Sequence, residues 1–271
     1  MKKLFFRFDF SPKIKKFLTT LHNTQEQAIL WIIRQLLPFL FPRHCPLCDK
    51  LLPYGSFIHE ECHRELPLIH PPVCMRCGKP VSSHTQEYCY DCRAFPKSFQ
   101  RGLSLFLYNK TRPIMSAFKY QNRRGLADFF CQELCRYRLS QLRDLGADAV
   151  IPVPIHKNKY KKRGYNQATL LSSRLALTLN LPHYPDMLIR SVDTLPQKQF
   201  NPQARLNNLK KAFCFNSHYD KLLSQSTPFS VLLVDDIYTS GATMEACTRI
   251  LLEAGISEVY ILSICIGIAR D

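Results

Sequence analysis

One segment constrains the fold more than any other, the stretch VLLVDDIYTSGAT from Val231 to Thr243. It begins with the apolar run Val231–Val234, which is typical of a strand covered on both faces. Two carboxylates, Asp235 and Asp236, follow, and a short turn then leads into a helical pattern. A continuous apolar strand that feeds a helix is typical of parallel α/β sheets, in which ligands bind at the carboxyl ends of the strands.

The turn after the acids has the chemistry of an anion site. It offers backbone N–H groups at a helix N-terminus, hydroxyl side chains, and a glycine that lets the backbone approach a ligand closely. The turn residues are Thr239, Ser240, Gly241, Ala242 and Thr243. Because acids repel a phosphate, we expect the two carboxylates to face sugar hydroxyls or a Mg²⁺ ion. The segment predicts a sugar-phosphate site; a capped surface turn with two solvated acids is the alternative.

The surrounding pattern extends the α/β prediction. The predicted strands are 103–108, 149–153 and 258–266, and the predicted helices are 166–179 and 241–254. Thr111 is predicted to be a helix N-cap, with Pro113 just inside the first turn. The polar, proline-containing stretch 180–230 is predicted to be a long excursion or lid.

The cysteines point to metal rather than to disulfides. Seven of the twelve fall between residues 45 and 92, and an odd number cannot close as an internal disulfide set. Paired ligands with two intervening residues recur in two near-equal halves, and two such pairs supply one closed, structural zinc site. The candidate ligands are Cys45, Cys48, His59, Cys62, Cys74, Cys77, Cys89 and Cys92. Two zinc ions are predicted; a single zinc on the second half and crossed pairing both stay open from spacing alone.

Positive charge is concentrated in the middle of the chain. The formal net charge is +16, and residues 110–211 carry 19 basic and 6 acidic side chains. Five of the basic residues lie close together, namely Lys157, Lys159, Lys161, Lys162 and Arg163. Two functional interpretations compete. The charges either clamp a phosphorylated ligand as a lid, or follow a single-stranded nucleic acid, with Tyr160 or Tyr165 stacking on bases. A solvated basic face is the third interpretation.

Residues 1–44 are interpreted as a basic extension that ends in a helix. The apolar window 28–41 contains Arg34 and Pro38 and is too short to span a bilayer. It is either an ordinary helix with one apolar face or a docking helix for a membrane surface or a partner. The first residues lack the apolar core and cleavage site of a secretory signal. Because metal-binding cysteines suit a reducing compartment, we expect a cytoplasmic location.

Six segments, in this order along the chain, resemble the ComF competence family, which includes the ComFC and GntX types. They span about residues 36–268 and read CPLC, CMRC, FKYQNRRGLADFF, VIPVPIHKNKYKKRGYNQA, TLPQKQFNPQARLNNLKKAF and VLLVDDIYTSGATMEAC. The last also resembles the phosphoribosyl-pyrophosphate (PRPP) signature of type I phosphoribosyltransferases. His59 stands where the family usually has a cysteine, and residues 1–35 lie outside the family pattern.

The organisation of the sequence, together with the resemblance, predicts three parts and a fold class. These are an extension at 1–44, a zinc-ribbon module at 45–95, and a phosphoribosyltransferase-like α/β domain with a parallel sheet at 96–271. The resemblance further implies that Asp235 and Asp236 contact the ribose hydroxyls, while the turn after them holds the 5′-phosphate of PRPP in the presence of Mg²⁺.

The resemblance also implies roles for nearby residues. The loop 152–156 is expected to lie near pyrophosphate. Arg163 and Arg205 belong to the matching segments, and together with Lys161 and Lys162 they are expected to bind pyrophosphate or nucleic-acid phosphate. No catalytic residue is identified. His156 is a candidate base, with a helix cap or a surface residue as the alternative.

Three functions stay open at this point. The first is a PRPP-binding protein that handles single-stranded DNA in natural transformation, with competence proteins such as a helicase as partners. The second is an active phosphoribosyltransferase on a base or amine acceptor. The third is a zinc-ribbon adaptor with a vestigial sugar-phosphate site.

Overall fold

The structure is a computed structural model and describes residues 42–53, 55–192, 211–225 and 229–268. The predicted helix within 28–41 and the predicted phosphate ligand Arg205 lie outside the described residues. No helix of the described ranges has both the length and the apolar character that a membrane span requires.

A parallel sheet forms the centre of the fold. The strands of the described ranges are β1 (Gly102–Leu107), β2 (Ala149–Pro152), β3 (Leu188–Arg190), β4 (Phe213–Phe215), β5 (Ser230–Tyr238) and β6 (Glu258–Ile266). Four of them pair in the order β1-β6-β5-β2, all parallel. In the register, Leu262 of β6 pairs with Leu103 on one side and with Val234 on the other. The carboxyl ends of these four strands therefore meet at one edge of the sheet.

Helices cover both faces of this sheet. They are α1 (Glu60–Arg64), α2 (Tyr90–Ala94), α3 (Tyr108–Tyr120), α4 (Leu126–Asp144), α5 (Lys157–Arg163), α6 (Gln167–Leu179), α7 (Asp220–Gln225) and α8 (Ala242–Glu253). Val231 and Leu233 of β5 pack on the α8 side, whereas Leu232 and Val234 pack on the side of α3, α4 and α6. Burial on both faces explains the continuous apolar run of this strand, and the predicted α/β class with a parallel sheet is confirmed.

One predicted helix start is wrong. Helix α3 begins at Tyr108, three residues before the predicted N-cap Thr111. The Thr111 hydroxyl does not cap the helix; it donates to the carbonyl oxygen of Leu107 at 2.9 Å and is buried. A threonine that bonds to the carbonyl four residues earlier is satisfied inside a helix, so it no longer marks the start.

The excursion 180–230 begins and ends in regular structure. Strands β3 and β4 pair antiparallel, with Ile189 opposite Cys214. This ribbon packs on the α8 side of the sheet through buried Leu188 and Phe213. A 3₁₀ turn and α7 then lead back toward β5.

The two halves of the cysteine-rich segment share one backbone pattern. The amide of Cys45 donates to the Lys50 carbonyl at 2.8 Å, and the amide of Cys74 donates to the Lys79 carbonyl at 2.7 Å. We call the turn around the first ligand pair of each half its knuckle. Each knuckle contains a residue in the left-handed region, Asp49 at φ 59° in the first and Gly78 at φ 77° in the second. Helices α1 and α2 follow directly on His59 and Cys89.

Candidate functional site

The loop between β5 and α8 carries the predicted anion site. Strand β5 ends at Tyr238, and Thr239 and Ser240 lead to Gly241, which adopts φ 74° at the N-cap of α8. The Glu245 amide donates to the Gly241 carbonyl at 2.8 Å and closes the first turn. The other early amides of a helix have no acceptor within the helix, so they are available to an anion.

The ring of a buried tyrosine packs against this loop, and the sequence analysis did not identify this residue. Tyr238 is 2% exposed, and its hydroxyl oxygen is buried without a hydrogen-bond partner among the described residues. A Cβ atom added to Gly241 would lie 2.5 Å from Cζ of Tyr238 and closer still to its hydroxyl. Glycine is therefore required at position 241 for two reasons, the left-handed φ and the contact with Tyr238.

The two acids face different surroundings. Successive strand residues point to opposite faces, and Asp236 forms an ion pair with Lys119 of α3, with 2.8 Å between Nζ and Oδ2. Asp236 is 8% exposed, and Asp235 accepts a hydrogen bond from the Asp236 amide at 2.8 Å. Lys119 is a second residue of the site that the sequence analysis did not identify.

Burial and charge shift the ionisation of this group of residues. Burial, together with the negative charge of Asp236, raises the pKa of Asp235 to about 7. Burial alone would lower the pKa of Lys119, but the charge of Asp236 and the hydrogen bond to it outweigh burial, so this pKa is raised. Lys119 therefore keeps its positive charge beside the two acids at neutral pH.

A basic, aromatic surface adjoins the acids. Of the predicted phosphate ligands, Lys161, Lys162 and Arg163 lie in the last turn of α5. The Arg163 guanidinium carbon lies 5.2 Å from the ring centroid of Tyr120, which is 65% exposed, and Tyr160 is also exposed. The prediction that Tyr165 stacks on bases is wrong, because Tyr165 is buried and its hydroxyl donates to the Phe118 carbonyl. We define this basic–aromatic surface by Tyr120, Arg124, Tyr160, Lys161, Lys162 and Arg163.

The loop 152–156 connects this surface to the sheet. The Val153 amide donates to the Val234 carbonyl at 2.8 Å, and the Asn166 side chain donates to the Val153 carbonyl at 3.0 Å. His156 is buried, and its Nδ1 accepts from the Asn158 amide at 3.3 Å, so it caps α5. The structure thus places the candidate base in the alternative role, a helix cap.

The first group of candidate metal ligands contains the histidine. The ligand atoms of Cys45, Cys48, His59 and Cys62 all lie within 4.8 Å of one another. Nδ1 of His59 lies 3.3 Å from the Cys48 sulfur, while its Nε2 lies 2.8 Å from the Leu51 carbonyl oxygen. An imidazole that donates through its second nitrogen to a carbonyl is the usual arrangement of a zinc-ligating histidine. Three thiolates and one such imidazole fit a closed tetrahedral zinc.

The second group consists of four thiols. Cys74, Cys77, Cys89 and Cys92 also lie within 4.8 Å of one another, and they are between 1% and 6% exposed. Four soft ligands and no open position fit a structural zinc rather than a catalytic one. Each group combines the two ligand pairs of one half of the segment, so the ligand pairs combine in sequential order and not in a crossed arrangement.

We expect two zinc ions per chain that are released at different rates by a chelator. Cys48 of the first group is exposed, whereas every ligand of the second group is buried, so the first zinc should leave well before the second. Metal analysis followed by a chromophoric chelator assay measures both quantities. One zinc per chain, or simultaneous release of two, would contradict this prediction.

Comparisons with known proteins match the zinc-binding segment and much of the remaining chain. The family model described as the double zinc ribbon domain matches residues 36–93. Competence protein F of Haemophilus influenzae is 28% identical over 73% of this chain and 85% of its own length. Competence protein ComFC of Bacillus subtilis is 26% identical over 78% of this chain and 89% of its own length. DNA utilization protein YhgH of Escherichia coli K12 is 26% identical over 83% of this chain and 97% of its own length.

Solved structures with weaker similarity belong to enzymes that act on PRPP or carry the phosphoribosyltransferase name. A crystal structure of adenine phosphoribosyltransferase matches at 15% identity and a TM-score of 0.31, over 55% of this chain and 75% of that one. A glutamine PRPP amidotransferase from Bacillus subtilis matches at 19% identity and a TM-score of 0.32, over 53% of this chain and 26% of that one. At these low TM-scores the two structures add nothing to the parallel sheet and the loop geometry already described.

Proposed function

Because this chain is a ComF-type protein, we propose that it binds PRPP with Mg²⁺ at the β5–α8 loop and handles single-stranded DNA on the basic–aromatic surface. The observation that carries the proposal is the position of Gly241. Gly241 itself has a left-handed φ and is the N-cap of a twelve-residue α-helix. It lies in the turn that follows the two acids at the carboxyl end of a central strand. Sheets of this kind bind ligands at that edge.

The neutral donors, the acids and the lysine of the site have different roles in the proposed binding. The amides and hydroxyls from Thr239 to Thr243 bind the 5′-phosphate, which the positive end of α8 also attracts. Asp235 and Asp236 accept hydrogen bonds from the ribose hydroxyls or contact the Mg²⁺ that PRPP brings. Lys119 neutralises Asp236, so the two carboxylates do not repel the phosphates with their full charge.

The DNA part of the proposal depends on the neighbouring surface. Exposed tyrosines can stack on bases of any sequence, and clustered cations follow a phosphate backbone. Tyr120 and Tyr160 supply the ring faces, and Lys161, Lys162 and Arg163 supply the charge. Relatives named for competence and for DNA utilization support a role with incoming DNA. We further propose a cytoplasmic location, which the metal-binding cysteines favour, with competence proteins such as a helicase as partners.

We propose three parts for the chain, an extension at 1–44, the zinc module at 45–95 and the phosphoribosyltransferase-like domain at 96–271. The match of the double zinc ribbon at 36–93 supports the middle part. A calorimetric titration with PRPP and Mg²⁺, with and without an oligonucleotide, tests the proposal as a whole. Binding of both ligands supports it, and binding of neither leaves a zinc-ribbon adaptor as the function.

Replacing Lys161 and Lys162 together by glutamine is expected to weaken single-stranded DNA binding about tenfold at low salt. Because each phosphate contact contributes about 0.7 to the slope of log affinity against log salt, the slope should fall by about 1.4. Fluorescence anisotropy with a labelled oligonucleotide at several salt concentrations measures both effects. The matched control is Lys50→Gln with Lys221→Gln, two exposed lysines outside the basic–aromatic surface. Equal losses in both double variants would contradict a specific surface.

An active transferase is the second candidate function, and the presence of both acids at the end of β5 favours it. In such a reaction a nitrogen of the acceptor forms a bond to C1 of PRPP, while the bond from C1 to pyrophosphate breaks and pyrophosphate leaves. Release of pyrophosphate from PRPP and Mg²⁺ on addition of bases or amines tests this function. Tight, salt-sensitive DNA binding without turnover favours the first.

A further inference from the structure

The second zinc group is part of the core that supports the β5–α8 loop. Its four cysteines belong to the same buried cluster as Phe99, Tyr238 and Ala246 of α8. The cluster lies on the face of the sheet to which Val231 and Leu233 of β5 point. The metal-binding module and the loop therefore share one packed interior.

The second knuckle approaches the sheet backbone to backbone. A Cβ atom on Gly78 would lie 2.8 Å from the Gly102 carbonyl oxygen, and a Cβ atom on Gly102 would lie 3.0 Å from the Cys77 carbonyl oxygen. The Arg76 guanidinium donates to the Phe99 carbonyl at 2.6 Å and to the Gln100 carbonyl at 3.2 Å. Close approach and these hydrogen bonds fix the knuckle against the start of β1.

Two contacts continue from this junction to the loop. The Phe99 ring meets the Tyr238 ring edge to face, with 6.4 Å between centroids, and Tyr238 in turn lies against Gly241. Ser98 donates to the Glu245 carboxylate through its amide at 2.8 Å and its hydroxyl at 2.7 Å. Glu245 lies in the first turn of α8, and its own amide donates to the Gly241 carbonyl.

The first zinc group contacts a different region. Asp49 in its knuckle pairs with Arg123 at 2.6 Å, just before α4. His63, next to the ligand Cys62, pairs with Glu133 of α4 at 2.7 Å. One contact is to α4 and the other is to the segment just before it, and α4 packs on the opposite face of the sheet from α8.

We propose that the second zinc, through Phe99 and Tyr238, holds the β5–α8 loop in the conformation that binds phosphate. This inference depends on the proposed function of the loop as a PRPP site. Four buried sulfurs without their metal must rearrange, and the aromatic pair packed beside them loses its fixed position. Loops that bind ligands have low local stability, so the loss of support should appear there first.

The deciding variant is Phe99→Leu, which leaves all four cysteines in place. We expect it to retain two zinc ions per chain, to speed amide hydrogen exchange in residues 239–245 at least tenfold, and to weaken Mg²⁺-dependent PRPP binding about tenfold. The matched control is Phe129→Leu, which truncates an equally buried ring on the opposite face of the sheet. The control should lose similar global stability without faster exchange in the loop.

A second variant tests the metal directly. Cys92→Ser removes one ligand, and we expect one zinc per chain with the same faster exchange in residues 239–245. If this variant does not fold, Phe99→Leu alone decides. Unchanged loop exchange in Phe99→Leu, or equal acceleration in Phe129→Leu, would overturn the inference. Hydrogen exchange is measured without ligand, so it tests the effect of zinc on the loop independently of PRPP. Failure of the wild-type protein to bind PRPP would overturn the proposed function and leave this test intact.

Discussion

Replacing Gly241 by alanine is expected to abolish PRPP binding and to destabilise the fold by about 3 kcal/mol. A residue with a Cβ atom at φ 74° costs about 1–2 kcal/mol. The added atom also overlaps Tyr238, which is fully packed and cannot move aside, and overpacking adds a similar amount. Chemical denaturation measures the stability, and isothermal calorimetry with PRPP and Mg²⁺ measures the affinity.

Gly146→Ala is the matched control for this change. Gly146 has φ 66°, but nothing lies within 4 Å of the position of its Cβ atom. It should therefore lose only the conformational part, about 1 kcal/mol, and keep its affinity for PRPP. If Gly241→Ala behaves like Gly146→Ala in both measurements, the loop is not packed on Tyr238 as described.

The two acids are expected to respond oppositely to the same substitution by asparagine. At pH 8, Asp235→Asn should stabilise the unliganded protein. It removes a carboxylate whose ionisation in the folded state is unfavourable because of burial and the charge of Asp236. Asp236→Asn should destabilise the protein by about 2 kcal/mol, because Lys119 is left without its partner. This loss is smaller than the loss expected on breaking a fully buried ion pair. Both single variants should bind PRPP at least 100-fold more weakly, since each removes a contact to the sugar or the metal.

The pH dependence of Asp235→Asn follows from the pKa of Asp235, about 7 in the fold against an ordinary value of 3.8. Between these two values the native state keeps a proton that the unfolded state has lost, so the wild type loses stability as the pH rises. The gain from asparagine should therefore be small near pH 4, grow up to about pH 7 and stay constant above. Thermal unfolding of both proteins at several pH values measures it; a gain that shrinks as the pH rises would contradict the assignment.

Local features of the site could be predicted from the sequence, and distant partners could not. The strand, the acids, the turn and α8 are contiguous, so the apolar run and Gly241 were enough to place them in order. Lys119 lies more than a hundred positions before Asp236, and only the packing of α3 on the sheet brings them together. Tyr238 lies two positions past Asp236, but a tyrosine at the end of a strand carries no signal that it packs against a glycine.

The metal sites show the same division. Two-residue spacing and the near-equal halves predicted both ligand groups, including His59 in place of a cysteine. Spacing contains no information on what surrounds a ligand set, so the burial of the second group against β1 and Phe99 had no counterpart in the pattern. The N-cap assigned to Thr111 failed for a related reason, because a hydroxyl can be satisfied within a helix as well as at its start.

The left-handed residues of the two knuckles, Asp49 and Gly78, are under unequal steric constraint. Asp49 lies at the surface, where another turn-forming residue would not touch the sheet. Gly78 lies against the Gly102 backbone, where any side chain would separate the module from β1. If the halves arose by duplication of one ancestral knuckle, the copy beside the sheet has lost the freedom to diverge at this position, and the outer copy has kept it.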